Sequence, residues 1–262
     1  MRRALAVVLT VVLLAAAMGA AVPDTLPLAP AVDGWADSYI SFLDSNYDIF
    51  AALWPDGMGG AAFMDLDLDG TPEMVLFDQG ASVSMGAHIF DLIGGQVYCV
   101  SSALDSASGA FNGSYFSSVD VNAGFFEAFR LSKTEAGWCF WVDSSNGTME
   151  STWDEIVRFD NGAGVLTPVS VCQRYLEFDM YSGLVVTESY SVGGAAADNV
   201  GYDRASLVYQ EGQDAGYEAK GVYRWDSDAY TASREGLLAM ARDAAAVYVP
   251  IPQTVTLASI AV

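Results

Sequence analysis

The chain is 262 residues long and carries 33 acidic against 11 basic side chains, a formal net charge of −22, with 52% hydrophobic and 12% aromatic residues. A surface of that sign repels nucleic acid and anionic membranes and favours cations. So large an apolar and aromatic content excludes a disordered chain.

Met1-Arg2-Arg3, the apolar run Ala4 to Met18 and the small residues Gly19-Ala20-Ala21 follow the order of a secretory signal. Residues 1–21 are therefore expected to be a signal peptide and the protein to be secreted, or extracellular. The apolar run is short of the about 20 residues a bilayer span needs, so no membrane contact is expected once it is removed. Without Arg2 and Arg3, 9 bases face 33 acids, a net of about −24. The Pro-containing segment 22–32 reads as a linker, and 33–262 as a single β-rich calcium-binding domain.

Asp33 resembles an N-cap for a helix over Gly34 to Ser45, with Trp35, Tyr39, Phe42 and Leu43 on one apolar face. Residues 46–60, with Pro55-Asp56-Gly57, read as a loop. Strands are expected at Ala61 to Met64 and Met74 to Phe77, forming a hairpin. A second hairpin is expected around Gly94-Gly95, joining His88–Leu92 to Gln96–Val100. Further strands are expected at 115–121, 124–131, 137–142, 155–159, 169–178, 184–190, 205–209 and 221–225. Turns are expected at Asp143–Gly147, Asp160–Gly162 and Gly193-Gly194. A last helix over Asp228 to Ala244 and an apolar, β-prone tail complete the chain. The fold class is α+β, mainly an antiparallel sheet of successive hairpins with an N-terminal and a C-terminal helix packed on it.

Cys99, Cys139 and Cys172 are odd in number and stand in strand-like surroundings. One disulfide with one free thiol, or three buried thiols, both fit.

Between the first two strands the chain reads Asp65-Leu66-Asp67-Leu68-Asp69-Gly70-Thr71-Pro72-Glu73. Carboxylates stand at positions 1, 3, 5 and 9, and a glycine at position 6 permits the sharp turn that aims them inward. Calcium takes six to eight oxygens from such an arrangement. An EF-hand would need a bidentate Glu at position 12 and helical flanks, but position 12 is Leu76 in a strand sequence. The expected ligands are the side chains of Asp65, Asp67, Asp69 and Glu73 and the backbone carbonyl of Thr71, with water completing the shell. A solvated acidic edge also explains the alternating acids, though not Gly70. Phe63 to Leu76 resembles the D-x-D-x-D-G-x-x-E-L hairpin of FG-GAP/VCBS-type calcium loops, and the order of elements around it resembles exported bacterial proteins of unassigned function. The resemblance implies Ca2+ but not a propeller, which would carry several such loops.

Catalytic signatures are sparse. His88 is the sole histidine, and its strand setting suits packing better than catalysis. No G-x-S-x-G, H-E-x-x-H or phosphate-binding loop occurs. Trp138 and Trp141 should face opposite sides of a strand, with one exposed. Asp226-Ser227-Asp228 offers either a second ion site or a helix cap. The leading expectation is a secreted calcium-binding domain whose ion staples the hairpin and which serves surface interaction with a protein or glycan ligand. The alternative is a secreted hydrolase, glycan-directed, with a carboxylate pair not identifiable from sequence.

Overall fold

The computed structural model describes residues 25–27, 33–78, 85–100, 119–121, 125–134, 137–148, 150–162, 164–223, 232–251 and 254–256. The expected signal peptide, most of the linker and Asp226–Asp228 lie outside the described residues.

Among the described residues fifteen strands follow in chain order: β1 (Thr25–Pro27), β2 (Met58–Met64), β3 (Glu73–Asp78), β4 (Met85–Ile93), β5 (Gln96–Val100), β6 (Val119–Val121), β7 (Phe129–Thr134), β8 (Gly137–Gly147), β9 (Ser151–Gly162), β10 (Val165–Phe178), β11 (Val185–Val192), β12 (Ala195–Ala197), β13 (Gln213–Asp214), β14 (Gly221–Tyr223) and β15 (Thr254–Thr256). The helices are α1 (Trp35–Ser45), α2 (Tyr47–Leu53), α3 (Asn199–Gln210) and α4 (Arg234–Val247). A six-stranded antiparallel sheet runs β14-β2-β3-β4-β5, with β6 sharing the outer edge of β4 with β5. A seven-stranded antiparallel sheet runs β12-β11-β10-β9-β8-β7-β13. Within the tail and the expected linker, β15 pairs with β1.

Period-two alternation assembles these parts into four layers. Ala62, Met64, Val75, Phe77, Ala87 and Ile89 of the six-stranded sheet meet Phe129, Leu131, Phe140, Val142, Val157 and Phe159 of the seven-stranded one. The neighbouring residues in β2, β3 and β4, namely Ala61, Phe63, Met74, Leu76 and Phe90, point the other way onto Tyr39 and Leu43 of α1, Phe50 of α2 and Leu237, Met240 and Ala241 of α4. On the far face of the seven-stranded sheet, Cys139, Trp141, Ile156 and Cys172 pack against Tyr209 of α3. The six-stranded sheet is thus covered on both faces, which is why β2 is buried along its whole length. Burying each large aliphatic or aromatic side chain there is worth about 1.5–3 kcal/mol.

The α+β class and the two packed terminal helices agree with the sequence, and several details differ. Gly34, at a φ of 77°, occupies the N-cap of α1, and no side chain caps it, so Asp33 does not. The segment read as a loop contains α2, because Phe50 finds an apolar seat against Phe42 and Phe90. Phe125–Ala128 is a 3-10 turn in front of β7 rather than strand. Residues 205–209 are helical: Tyr202, Ala205, Ser206 and Tyr209 recur at helical spacing against the sheet, and the Asp198 carboxylate caps α3 by accepting from the Gly201 amide at 2.8 Å. The expected turns at 143–147 and 160–162 continue β8 and β9. The helix expected from Asp228 begins at Arg234, where Ser233 accepts from the Gly236 amide. Gly94 and Gly95 take φ of 60° and 85° in the β4–β5 hairpin, as a primed turn requires.

Candidate metal centre

Met64 pairs with Glu73, so β2 and β3 deliver Asp65 and Glu73 to the same end of their hairpin. In the connecting loop, leucines alternate with aspartates. Leu66 is fully buried in the intersheet core and Leu68 packs against that core, which anchors the loop inward. Backbone amides then turn onto the carboxylates. Gly70 donates to Asp65 Oδ2 at 3.0 Å, Asp69 to Asp67 Oδ1 at 3.0 Å, Thr71 to Asp69 Oδ1 at 2.7 Å, and Leu66 to Glu73 Oε2 at 2.5 Å. The loop turns through positive φ at Leu68 (63°) and Gly70 (96°). A non-glycine residue there costs about 1 kcal/mol or more, a strain that its surroundings must hold.

Asp65, Asp67 and Glu73 each bring a carboxylate oxygen within 4.8 Å of the others. Asp65 is 2% and Glu73 1% exposed. Two like charges 4.8 Å apart repel by about 3.5 kcal/mol at an effective dielectric of about 20. Among the described residues, no lysine, arginine or histidine forms an ion pair with any of the three. Burial, opposed by the Gly70 amide, raises Asp65 to about 7. Burial and then the charges of Asp69, Asp91 and Asp65 raise Asp67 to about 8. Glu73 is pushed well above the usual carboxylate range by burial first, then by Asp67, Asp91 and Asp65. One oxygen, Asp65 Oδ1, is buried with no hydrogen-bond partner. Orphaned buried acceptors are rare in folded proteins and call for an explanation such as an ion. This buried acidic triad could hold a metal ion.

Of the four carboxylates expected as ligands, Asp65, Asp67 and Glu73 converge. Asp69 is exposed, its Oδ1 receives the Thr71 amide, and it does not belong to the set of mutually close carboxylate oxygens; Thr71 is buried. An acid the sequence reading did not single out, Asp91 in β4, lies beside the site: it is 5% exposed, and Asp67 and Glu73 both feel its charge. Its signal was present in the strand pattern, where Ala87, Ile89 and Asp91 share one otherwise apolar face.

The other candidates are structural. His88 is buried with Nε2 3.1 Å from Asp78 Oδ2 and its ring 4.5 Å from that of Trp54. Trp141 packs beneath α3 and Trp138 against the intersheet core, so neither is the exposed member of the pair. No disulfide joins Cys99, Cys139 and Cys172. A polar cleft of about 540 Å³ lies under α3, lined by Asp143, Asp154, Arg174, Tyr202, Asp203 and Ser206 among others. In it Asp154 Oδ2 is engaged by Nε and an Nη of Arg174, so one of the three carboxylates that line the cleft is already paired. Compared with known protein families, curated proteins and solved structures, the chain matches none of them.

Proposed function

We propose that the protein is a secreted calcium-binding domain in which the ion staples the β2–β3 hairpin, and that the body so stabilised serves surface interaction. The observation that carries this reading is the buried Asp65–Asp67–Glu73 triad with Asp65 Oδ1 unpartnered. Calcium is favoured over magnesium because a loop built from carboxylates and backbone tolerates the irregular, oxygen-rich shell that calcium takes, whereas magnesium demands a strict octahedron and keeps its waters. Asp69 and the Thr71 carbonyl complete the shell with water. Extracellular sites of this kind bind at about 10⁻⁴ to 10⁻³ M, a range suited to a structural ion where calcium is abundant. The interaction role is supported by the projecting β10–β11 arm, where Tyr181 is 92%, Leu184 67% and Val186 60% exposed.

The test is thermal unfolding of metal-stripped protein with and without calcium, for wild type and Asp67→Ala. Calcium should raise the wild-type midpoint and leave the variant's unchanged. An indifferent wild type, or a variant that responds equally, would sink the proposal.

A further inference from the structure

We infer that Asp91 is a further ligand of the same cation, reached through a bound water, so that the ion joins the two sheets as well as closing one hairpin. The inference rests on the calcium reading above. In the β3–β4 ladder Met74 pairs with Phe90 and Val75 with Ile89. One step further in that register, Glu73 stands opposite Asp91. Both side chains belong to the face that Val75 and Ile89 bury between the sheets, and Glu73 is 1% and Asp91 5% exposed. Like charges directly opposite on adjacent strands destabilise a sheet, and more so when withdrawn from water. A cation at the end of the ladder removes that repulsion.

One observation points to a ligand at this place, and a second sets Asp91 between it and the other sheet. Asp65 Oδ1 is buried and unpartnered on the neighbouring strand end. Asp91 itself is committed across the intersheet gap: its Oδ2 accepts from the amide of Leu166, near the start of β10 in the seven-stranded sheet, at 3.4 Å. Asp91 is not one of the carboxylates whose oxygens all lie within 4.8 Å of one another, which assigns it to the outer shell. Calcium loops regularly recruit one acid through water in this way, and outer-shell partners tune affinity by about 10- to 100-fold. The chain of contacts is then cation, water, Asp91 and Leu166 amide, from one sheet to the other.

Titration calorimetry of the metal-stripped full chain with calcium chloride, on wild type, Asp91→Asn and Asp65→Asn, tests the assignment. Asp91→Asn should bind about 10-fold more weakly or worse, and Asp65→Asn should show no uptake. Hydrogen exchange at the Leu166 amide supplies a readout that a loss of charge alone would not move: calcium should slow it in wild type and leave it unchanged in Asp91→Asn. If wild type binds calcium and Asp91→Asn binds as tightly, the inference is overturned while the calcium reading stands. If wild type takes up no calcium, the calcium reading fails and the role of Asp91 fails with it. Should Asp91→Asn not fold, the wild-type exchange comparison decides alone, and a Leu166 amide indifferent to calcium overturns the inference.

Discussion

The Gly70 amide donates to Asp65 Oδ2 at 3.0 Å, closing the acidic loop on its own first residue. Gly70 does this at a φ of 96°, outside the range L side chains prefer. Leu68 already holds a left-handed conformation two residues earlier, so the loop has little further strain to absorb. Gly70→Ala should therefore lower stability by about 1–2 kcal/mol in urea unfolding. It should also weaken calcium binding, because the displaced amide no longer orients Asp65. A variant as stable as wild type would show that the turn does not constrain the carboxylates.

The metal-free protein should lose stability as pH rises from about 4 to about 8. Unfolded aspartate titrates near 3.9, whereas Asp91, Asp65 and Asp67 are raised by burial to about 6, 7 and 8 in the fold. Between these limits the folded state binds more protons than the unfolded one, so raising pH removes stability, fully so once the folded groups have ionised. Calcium inverts the trend because only the ionised carboxylates bind it, and the stabilisation it gives should grow from pH 6 to pH 8. Melting curves of metal-stripped protein across this range check the sign. Asp67→Asn should flatten the metal-free slope, which separates the loop from the general repulsion of an acidic chain; an unaltered slope would remove the loop as its cause.

How much of this was legible in the sequence depended on whether a signal was local. The acidic loop and its flanking strands could be read because the ligand spacing, the glycine and the switch from alternating acids to Met74-Val75-Leu76-Phe77 all lie within one hairpin. Helix α3 was misread because Leu207, Val208 and Tyr209 are β-prone in isolation, while the signal for helix, Asp198 capping and Tyr202 to Tyr209 facing a sheet, spans more residues and needs that sheet. Asp91 escaped for a related reason. Its opposition to Glu73 follows from the pairing of β3 with β4, and register between strands is a tertiary fact that no short motif encodes. Phe50 illustrates the same limit, since its segment becomes helix only where the aromatic seat of Phe42 and Phe90 exists.

A different glycine is demanded by packing. A Cβ on Gly221 of β14 would stand 2.5 Å from the carbonyl oxygen of Ala61 in β2 and 2.6 Å from Cδ1 of Phe126. The backbone oxygen belongs to the paired ladder and cannot give way as a flexible side chain would. Gly221→Ala should thus cost about 1–3 kcal/mol through overpacking, read as a lower unfolding midpoint with or without calcium. A calcium-dependent loss would instead connect this edge to the loop.

The three thiols should be recovered unpaired. Burial raises both Cys139 and Cys172 to about 11, which keeps them protonated and poorly nucleophilic at neutral pH. Thiol titration under denaturing, non-reducing conditions should count three groups, while in the native state Cys139 and Cys172 should resist alkylation at pH 8. Cys99, half-buried at the edge strand β5, should react first. A count of one would establish a disulfide and overturn the packing reading of these residues.

The β10–β11 arm carries apolar side chains that the core does not use. β12 pairs only with Tyr190–Val192 of β11, so Val185 to Ser189 presents a strand edge beyond it, with Leu184, Val185 and Val186 at least half exposed. Edges of this kind template pairing with other chains unless charge or proline blunts them. Replacing Val186 by lysine removes apolar surface that is already in water, so folding stability should change by no more than about 0.5 kcal/mol. The same substitution places a charge on the open edge and should slow heat-induced aggregation followed by light scattering. A large drop in the unfolding midpoint would mean that Val186 is packed in solution, and an unchanged aggregation rate would mean that another surface nucleates association.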